Sequence, residues 1–238
     1  MSNATVETDS EARQQQRRVV RTPYFQADGV TVYHADCRDV LPKLTADTVI
    51  TDPVWPDADV DLEGRGAEDT LLRDALELCE GADRVAVQVG CNTDPRFQSA
   101  VPERWEFFRT AWLEQALKGH RGRLLDTGDV AFLYGPPPPS RDGQHMVPGR
   151  TVTHSPGGKE RDHPTPRKLS HVEWIVKWWS APADTIVDPF AGSGTTGLAA
   201  FKWDRDCILI ECKERHCETI ADEMRRYLSA PRLPMEYA

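Results

Sequence analysis

The chain has 238 residues, with 29 Lys plus Arg against 38 Asp plus Glu for a formal net charge of −9. That is enough for one large domain whose core needs neither a metal nor a disulfide, and the acidic balance argues against indiscriminate nucleic-acid binding. A charged fraction of 28% and an apolar fraction of 39% exclude a disordered or fibrous chain. No run approaches the roughly 18 apolar residues of a membrane span, and the polar N-terminus lacks a signal-peptide core, so no membrane partner and a cytoplasmic setting are expected. The six cysteines form no CxxC pair, and Cys207, Cys212, His216 and Cys217 match no zinc spacing. No metal is expected.

In chain order, residues 1–24 read as a polar, mobile tail. Val30–His34 reads as a short strand, Asp39–Leu44 as a short helix, and Thr48–Thr51 as a buried strand that stops at Asp52-Pro53. A helix is predicted over Leu71–Cys79, a strand over Arg84–Val89, a helix from the apolar spacing of Trp105–Leu117, and a strand over Asp129–Tyr134. Four prolines, Pro136 to Pro139, then open an irregular segment that runs to about Asp162. Order returns with a helix whose apolar face is Leu169, Val172, Ile175, Val176 and Trp179, ended by Ala181-Pro182-Ala183. A strand (Asp184–Asp188), a glycine loop, a helix (Thr195–Lys202), a strand (Cys207–Glu211) and a helix (Glu214–Leu228) complete the chain. Strands alternating with helices predict an α/β fold, a doubly wound and mostly parallel sheet in a single domain over 25–238.

Charge is unevenly distributed. Leu117–Ser170 carries nine basic residues against five acidic ones, and five of the seven histidines fall between His120 and His171. A basic region inside an acidic protein suits a phosphate-bearing partner met on one face, although an ordinary solvated loop explains the charge equally well.

The sharpest local feature is Asp188-Pro-Phe-Ala-Gly-Ser-Gly-Thr-Thr-Gly197. A strand feeds a glycine turn that opens a helix, and the next strand ends in Glu211. Gly192 and Gly194 permit a tight turn and a close backbone approach to a ligand that any Cβ would block. Glu211 is placed to accept hydrogen bonds from ribose hydroxyls, which points to a nucleoside-containing cofactor. A phosphate loop for ATP would need a Lys before the Ser/Thr, and none is present. A nicotinamide site fits the glycines, but only forty-one residues follow Gly197, too few for a downstream catalytic domain. S-adenosylmethionine fits best, because Asp188 supplies an acid near the ligand's amino acid moiety.

The glycine motif resembles the cofactor motif of the amino-directed DNA methyltransferases, which make N6-methyladenine or N4-methylcytosine. His163-Pro-Thr-Pro-Arg167-Lys168 resembles their segment closing over the methionine end of S-adenosylmethionine, with Arg167-Lys168 in place of Lys-Pro. Asp36-Cys37 resembles the pair near the cofactor's adenine. The resemblance therefore implies cofactor contacts from Asp36, Cys37, Arg167, Asp188, Phe190, Gly192, Gly194, Thr195 and Glu211. It runs from about Val30 to Leu228 and is looser in the middle.

Asp52-Pro53-Val54-Trp55 resembles the family's catalytic Asp/Asn/Ser-Pro-Pro-aromatic signature, with Val54 for the second Pro. An exocyclic base amine is a poor nucleophile because its lone pair is delocalised into the ring. Asp52 and the Pro53 carbonyl can accept its two N–H bonds and favour a pyramidal nitrogen, while Trp55 stacks on a base rotated out of the duplex. The catalytic motif precedes the cofactor motif, as in the family's group that carries its target-recognition insert between them. The insert then falls at about 136–162, with Arg141, Arg150, Lys159 and Arg161 as DNA contacts. Asp at the first signature position tilts the product toward N6-methyladenine over N4-methylcytosine. DNA is the expected partner and a homodimer stays open. The rival classes are a nicotinamide oxidoreductase and a catalytically silent DNA-binding relative.

Overall fold

A computed structural model describes residues 22–54, 66–115, 120–125, 127–140, 146–153 and 168–229. The tail predicted over 1–24 lies almost wholly outside these residues. Just after it, β1 (Phe25–Ala27) pairs antiparallel with β2 (Val30–His34) through an Asp28-Gly29 turn in which both residues have positive φ. Asp-Gly is the dipeptide such a two-residue turn selects.

The chain continues through the short helix α1 (Cys37–Val40), a 3-10 turn (Leu41–Lys43) and β3 (Thr48–Thr51). Next come α2 (Glu68–Glu77), β4 (Arg84–Gly90), a 3-10 segment (Pro95–Ala100) and β5 (Phe107–Gln115). A small hairpin, β6 (His120–Arg121) with β7 (Leu124–Leu125), precedes β8 (Gly128–Tyr134) and β9 (Arg150–Thr153). Then follow α3 (Leu169–Trp179), β10 (Thr185–Asp188), α4 (Thr195–Lys202), β11 (Asp206–Glu211) and α5 (Glu214–Ser229).

Among the described residues, nine strands form one sheet in the order β1-β2-β11-β10-β3-β4-β8-β5-β9. The stretch from β2 to β4 is parallel throughout; β8 is antiparallel to both β4 and β5, and β9 runs parallel to β5. Apolar side chains alternate between two cores. Ile50, Ala86 and Ile186 face α3, α4 and α5, whereas Val49, Val87 and Val187 face α1 and α2. Helices on both faces make the sheet doubly wound, as predicted. Among the described residues, no helix is long and apolar enough to cross a membrane.

Two expectations need correction. Where the sequence predicts a helix over Trp105–Leu117, the described residues Phe107–Gln115 are β5, bonded to β8. Phe108, Ala111, Trp112 and Gln115 have helical spacing, yet the pattern the fold uses is the two-residue alternation in which Ala111 and Leu113 are buried and Trp112 is exposed. The stretch after Pro136 is not wholly irregular either, because Arg150–Thr153 supplies the outermost strand, β9.

The ends of the parallel strands position the site. β3 stops one residue before Asp52, β10 at Asp188, β11 at Glu211, and β2 two residues before Asp36. The resemblance had assigned all four acids to the site, and all sit on the carboxyl edge of the sheet, where doubly wound folds bind ligands.

Candidate active site

The glycine loop leaves β10 and enters α4. Gly192 has φ 51° and Gly194 has φ 75°, both left-handed, and Gly194 is the N-cap of α4. A Cβ on Gly194 would come within 2.6 Å of Ile220 Cγ1 on α5, and one on Gly197 within 2.6 Å of Leu209 Cδ1 on β11. Gly194 thus gives way to a neighbouring helix as well as to the turn; the steric reason predicted for it, room for a ligand, is not where its Cβ would point. The Gly192 N–H donates to Glu211 Oε2 at 2.9 Å, and the Lys213 N–H to Glu211 Oε1 at 2.8 Å. His216 Nδ1 lies 3.5 Å from the same Oε1. Burial by itself would raise the Glu211 pKa, but His216 and these two amides outweigh it and hold the carboxyl below its ordinary value. Glu211 is therefore anionic and fixed under the loop, with lone pairs left for hydroxyl donors.

Asp188 is 2% exposed. Its Oδ1 accepts from the Thr51 hydroxyl at 2.9 Å and the Phe190 N–H at 3.1 Å, and its Oδ2 accepts from the Thr196 hydroxyl at 2.6 Å. Burial pushes its pKa up to about 6, with the three donors opposing the rise and Glu211 adding to it. Thr195 is buried at the first turn of α4, its hydroxyl 3.0 Å from that of Ser193. Phe190 is half-buried against the α1–α2 core.

Asp36 caps α1, its Oδ1 accepting from the Arg38 N–H at 2.9 Å, and its other oxygen pairs with the Arg38 guanidinium at 2.6 Å. The neighbouring Ala35 N–H donates to the Glu211 carbonyl, so the ends of β2 and β11 are tied together. The Cys37 side chain is part of the α1–α2 core and burial pushes its thiol up to about 12. What Cys37 can present to a ligand is backbone, because the inert thiol points into the core.

Asp52 is half-buried and Pro53 buried at the end of β3. Val87, the register partner of Thr51, precedes Gln88, whose amide donates to Asp129 Oδ2 at 3.0 Å. His171 of α3 lies 3.8 Å from the same oxygen and 3.1 Å, through Nε2, from the Glu114 carbonyl. This buried polar cluster joins β4, β5, β8 and α3 beside the catalytic segment. Sequence reading assigned no part in the site to Gln88, Asp129, His171, Thr51 or Thr196. A Thr directly before Asp52 and a Thr at the second position of α4 were the only signals for the last two.

Of the predicted site residues, Trp55, Arg167, Arg141, Lys159 and Arg161 lie outside the described residues. Arg150, 67% exposed in its side chain, pairs with Glu114 at 3.1 Å. It sits on β9, four strands from β3, or roughly 19 Å at about 4.8 Å per strand. The structure therefore brings Asp52, Asp188, the glycines and Glu211 together and leaves Arg150 well to one side.

The chain and its fold resemble known proteins. The family model N6_N4_Mtase, described as DNA methylase, matches residues 13–222. YubD of Escherichia coli (strain K12), a methylase by description, is 26% identical over 202 residues, 76% of this chain and 84% of that protein. The type II methyltransferase M2.MboI of Moraxella bovis is 40% identical over 65 residues, 27% of this chain and 23% of its own. The crystal structure of an M1.HpyAVI–SAM complex superposes with a TM-score of 0.64 at 22% identity, covering 82% of this chain and 98% of that one. The cytosine-N4-specific PvuII DNA methyltransferase superposes at 0.66 with 14% identity, covering 84% and 88%. At such identities the superpositions speak for the fold, and the family model speaks for the lineage. The chain belongs to the N6/N4 DNA methylase family.

Proposed function

We propose that the chain transfers a methyl group from S-adenosylmethionine to the exocyclic amine of a base flipped out of DNA, with adenine N6 as the product position. The observation that carries this reading is the junction of β3 and β10, where Asp52 follows Thr51 and Thr51 is bonded to the Asp188 that opens the glycine loop.

The loop fits the cofactor. Two left-handed glycines carry the backbone into α4, and anionic Glu211 lies beneath them to receive ribose hydroxyls. Bound there, S-adenosylmethionine supplies an electrophilic methyl group. This chain's residues prepare the amine. The Asp52 carboxylate and the Pro53 carbonyl oxygen accept its two N–H bonds, which draws the lone pair out of conjugation with the ring. Asp52 then takes the proton that becomes acidic once the nitrogen carries positive charge, so it need not be a strong base beforehand. Trp55 stacks on the extruded base.

Adenine is favoured by resemblance: Asp or Asn opens the signature in the family's adenine enzymes, and Ser often opens it in the cytosine enzymes. Nucleoside mass spectrometry on DNA treated with the purified protein is expected to show N6-methyladenine, and N4-methylcytosine as the main product reverses the assignment. In the same assay Asp52→Ala should lower turnover by about 10²–10⁴-fold while cofactor affinity is kept. Activity within tenfold of wild type removes Asp52 from the mechanism. NADH binding in place of S-adenosylhomocysteine binding, followed by tryptophan quenching, returns the chain to the oxidoreductases.

A further inference from the structure

We infer that Asp188 is a positioning residue, clamping the catalytic strand to the cofactor loop through the hydroxyls of Thr51 and Thr196. The inference rests on the proposed role of Asp52 and adds to it the device that sets Asp52 at a fixed distance from the methyl donor.

The geometry is specific. Methyl transfer needs the amine, its acceptors and the methyl carbon in line to within a fraction of an ångström, and a misplacement of about 1 Å can cost on the order of a hundredfold in rate. The amine is held from β3 and the cofactor from the loop between β10 and α4. β3 and β10 are adjacent and parallel, but their pairing covers only Ile186 with Thr48 and Val187 with Val49. Beyond those pairs, the side chains carry the alignment to the working end. Asp188 Oδ1 takes the Thr51 hydroxyl, from the residue before Asp52, and Oδ2 takes the Thr196 hydroxyl, from the second residue of α4. One carboxylate thus spans both half-sites, while the Phe190 N–H on Oδ1 fixes its rotation. Thr51 is 1% and Thr196 6% exposed, so these bonds are screened little by solvent.

The clamp works only as an acceptor. All three partners present hydrogens to the carboxylate, and a proton on it forces a hydroxyl to turn away. Among the described residues, the other titratable groups acting on Asp188 include Glu211 and Cys207, both on β11. Just past β3 the nearest in sequence is Asp52 itself. The partners from β3, the loop and α4 are hydroxyls and an amide. Burial already places the titration of Asp188 near pH 6, so losing one donor should move it further up.

The test is Thr51→Val, which keeps shape and removes the hydroxyl. We expect turnover at neutral pH to fall about tenfold or more, cofactor Kd to stay within about twofold, and the acid limb of the kcat profile to rise by about half a pH unit or more. Thr51→Ser should restore all three. Thr196→Val, at the other end, should raise the same limb but weaken S-adenosylhomocysteine binding, which gives an independent reading should the first variant fold poorly. A lower Tm for both variants, with kcat per folded molecule and the acid limb unchanged, overturns the clamp and leaves a structural bond. Asp52→Ala is run in parallel: if that variant keeps its activity, the reading of the catalytic segment fails; if it is inactive while Thr51→Val behaves as wild type, only the clamp fails.

Discussion

The parallel stretch from β2 to β4 and the neighbouring strands β8, β5 and β9 are one continuous sheet built on different physics. In the parallel stretch both faces are covered, and Val49, Ile50, Val85, Ala86 and Val87 are buried whichever way they point. Among the described residues only one face of β5 is covered: Leu113 is fully buried against the α3 core, while Trp112, one residue away, is 49% exposed. The acids of the candidate site cluster at the end of the first region, and the aromatic and basic surface lies at the edge of the second. Substitutions can probe how far the twice-covered strands and the half-open edge differ.

The largest effect is expected in the covered half. Gly194→Val must hold a β-branched residue at φ 75° and push it into Ile220. We expect a loss of about 4 kcal/mol or more in chemical denaturation, with Ile220→Ala recovering only the steric part. A wild-type midpoint would mean that α5 yields freely and the half is less rigid than it looks. In the half-open region the two sides of β5 should separate cleanly. Leu113→Ala is expected to cost about 3 kcal/mol as a core cavity, and Trp112→Ala less than about 1 kcal/mol. Equal costs would show that the Trp112 face is covered in solution.

The two acids of the cofactor loop should respond to pH in opposite directions. The folded pKa of Asp188 is raised from 3.8 to about 6. Its contribution is therefore most favourable below about pH 4 and is lost as pH rises through 6, a change of about 3 kcal/mol. Glu211 is held below its ordinary value, so its contribution is present at neutral pH and lost on acidification. Asp188→Asn should thus gain stability relative to wild type between pH 4 and 7, read from denaturation midpoints along the pH series. A constant difference across that range would show that Asp188 does not titrate there. The smallest effect is at the edge. Arg150→Ala breaks an exposed pair with Glu114 and should shift stability by less than about 1 kcal/mol. If β9 meets DNA, the same change lowers the slope of log affinity against log salt by about 1. An unchanged slope would move the DNA surface away from β9.

These halves also differ in how far the linear chain announces them. The glycine loop, α3, α4, β10 and β11 are legible because each is specified locally. Turn residues, caps and buried apolar runs over Asp184–Lys202 select one conformation whatever the neighbours do. Asp52 and Asp188 are legible as acids at strand ends next to Pro, and Glu211 as the acid that ends the strand after the glycine loop. β5 is not, since Phe107–Gln115 satisfies helical spacing as well as alternation, and only pairing with β8 chooses between them. The short β9 is hidden for the same reason. With four residues after a proline-rich run, it is a strand only because the edge of β5 is there to pair with.

By itself, then, the sequence determined the order of motifs, the identity of the acids and the strand–loop–helix in which the cofactor signature sits, because those depend on residues within a few positions of one another. Tertiary structure decided which of these acids meet and what each carboxylate is bonded to. Thr51 and Asp188 are 137 residues apart in the chain and 2.9 Å apart in the fold. No local preference encodes such a distance; it follows from β3 and β10 lying side by side in a sheet that packing on both faces holds together.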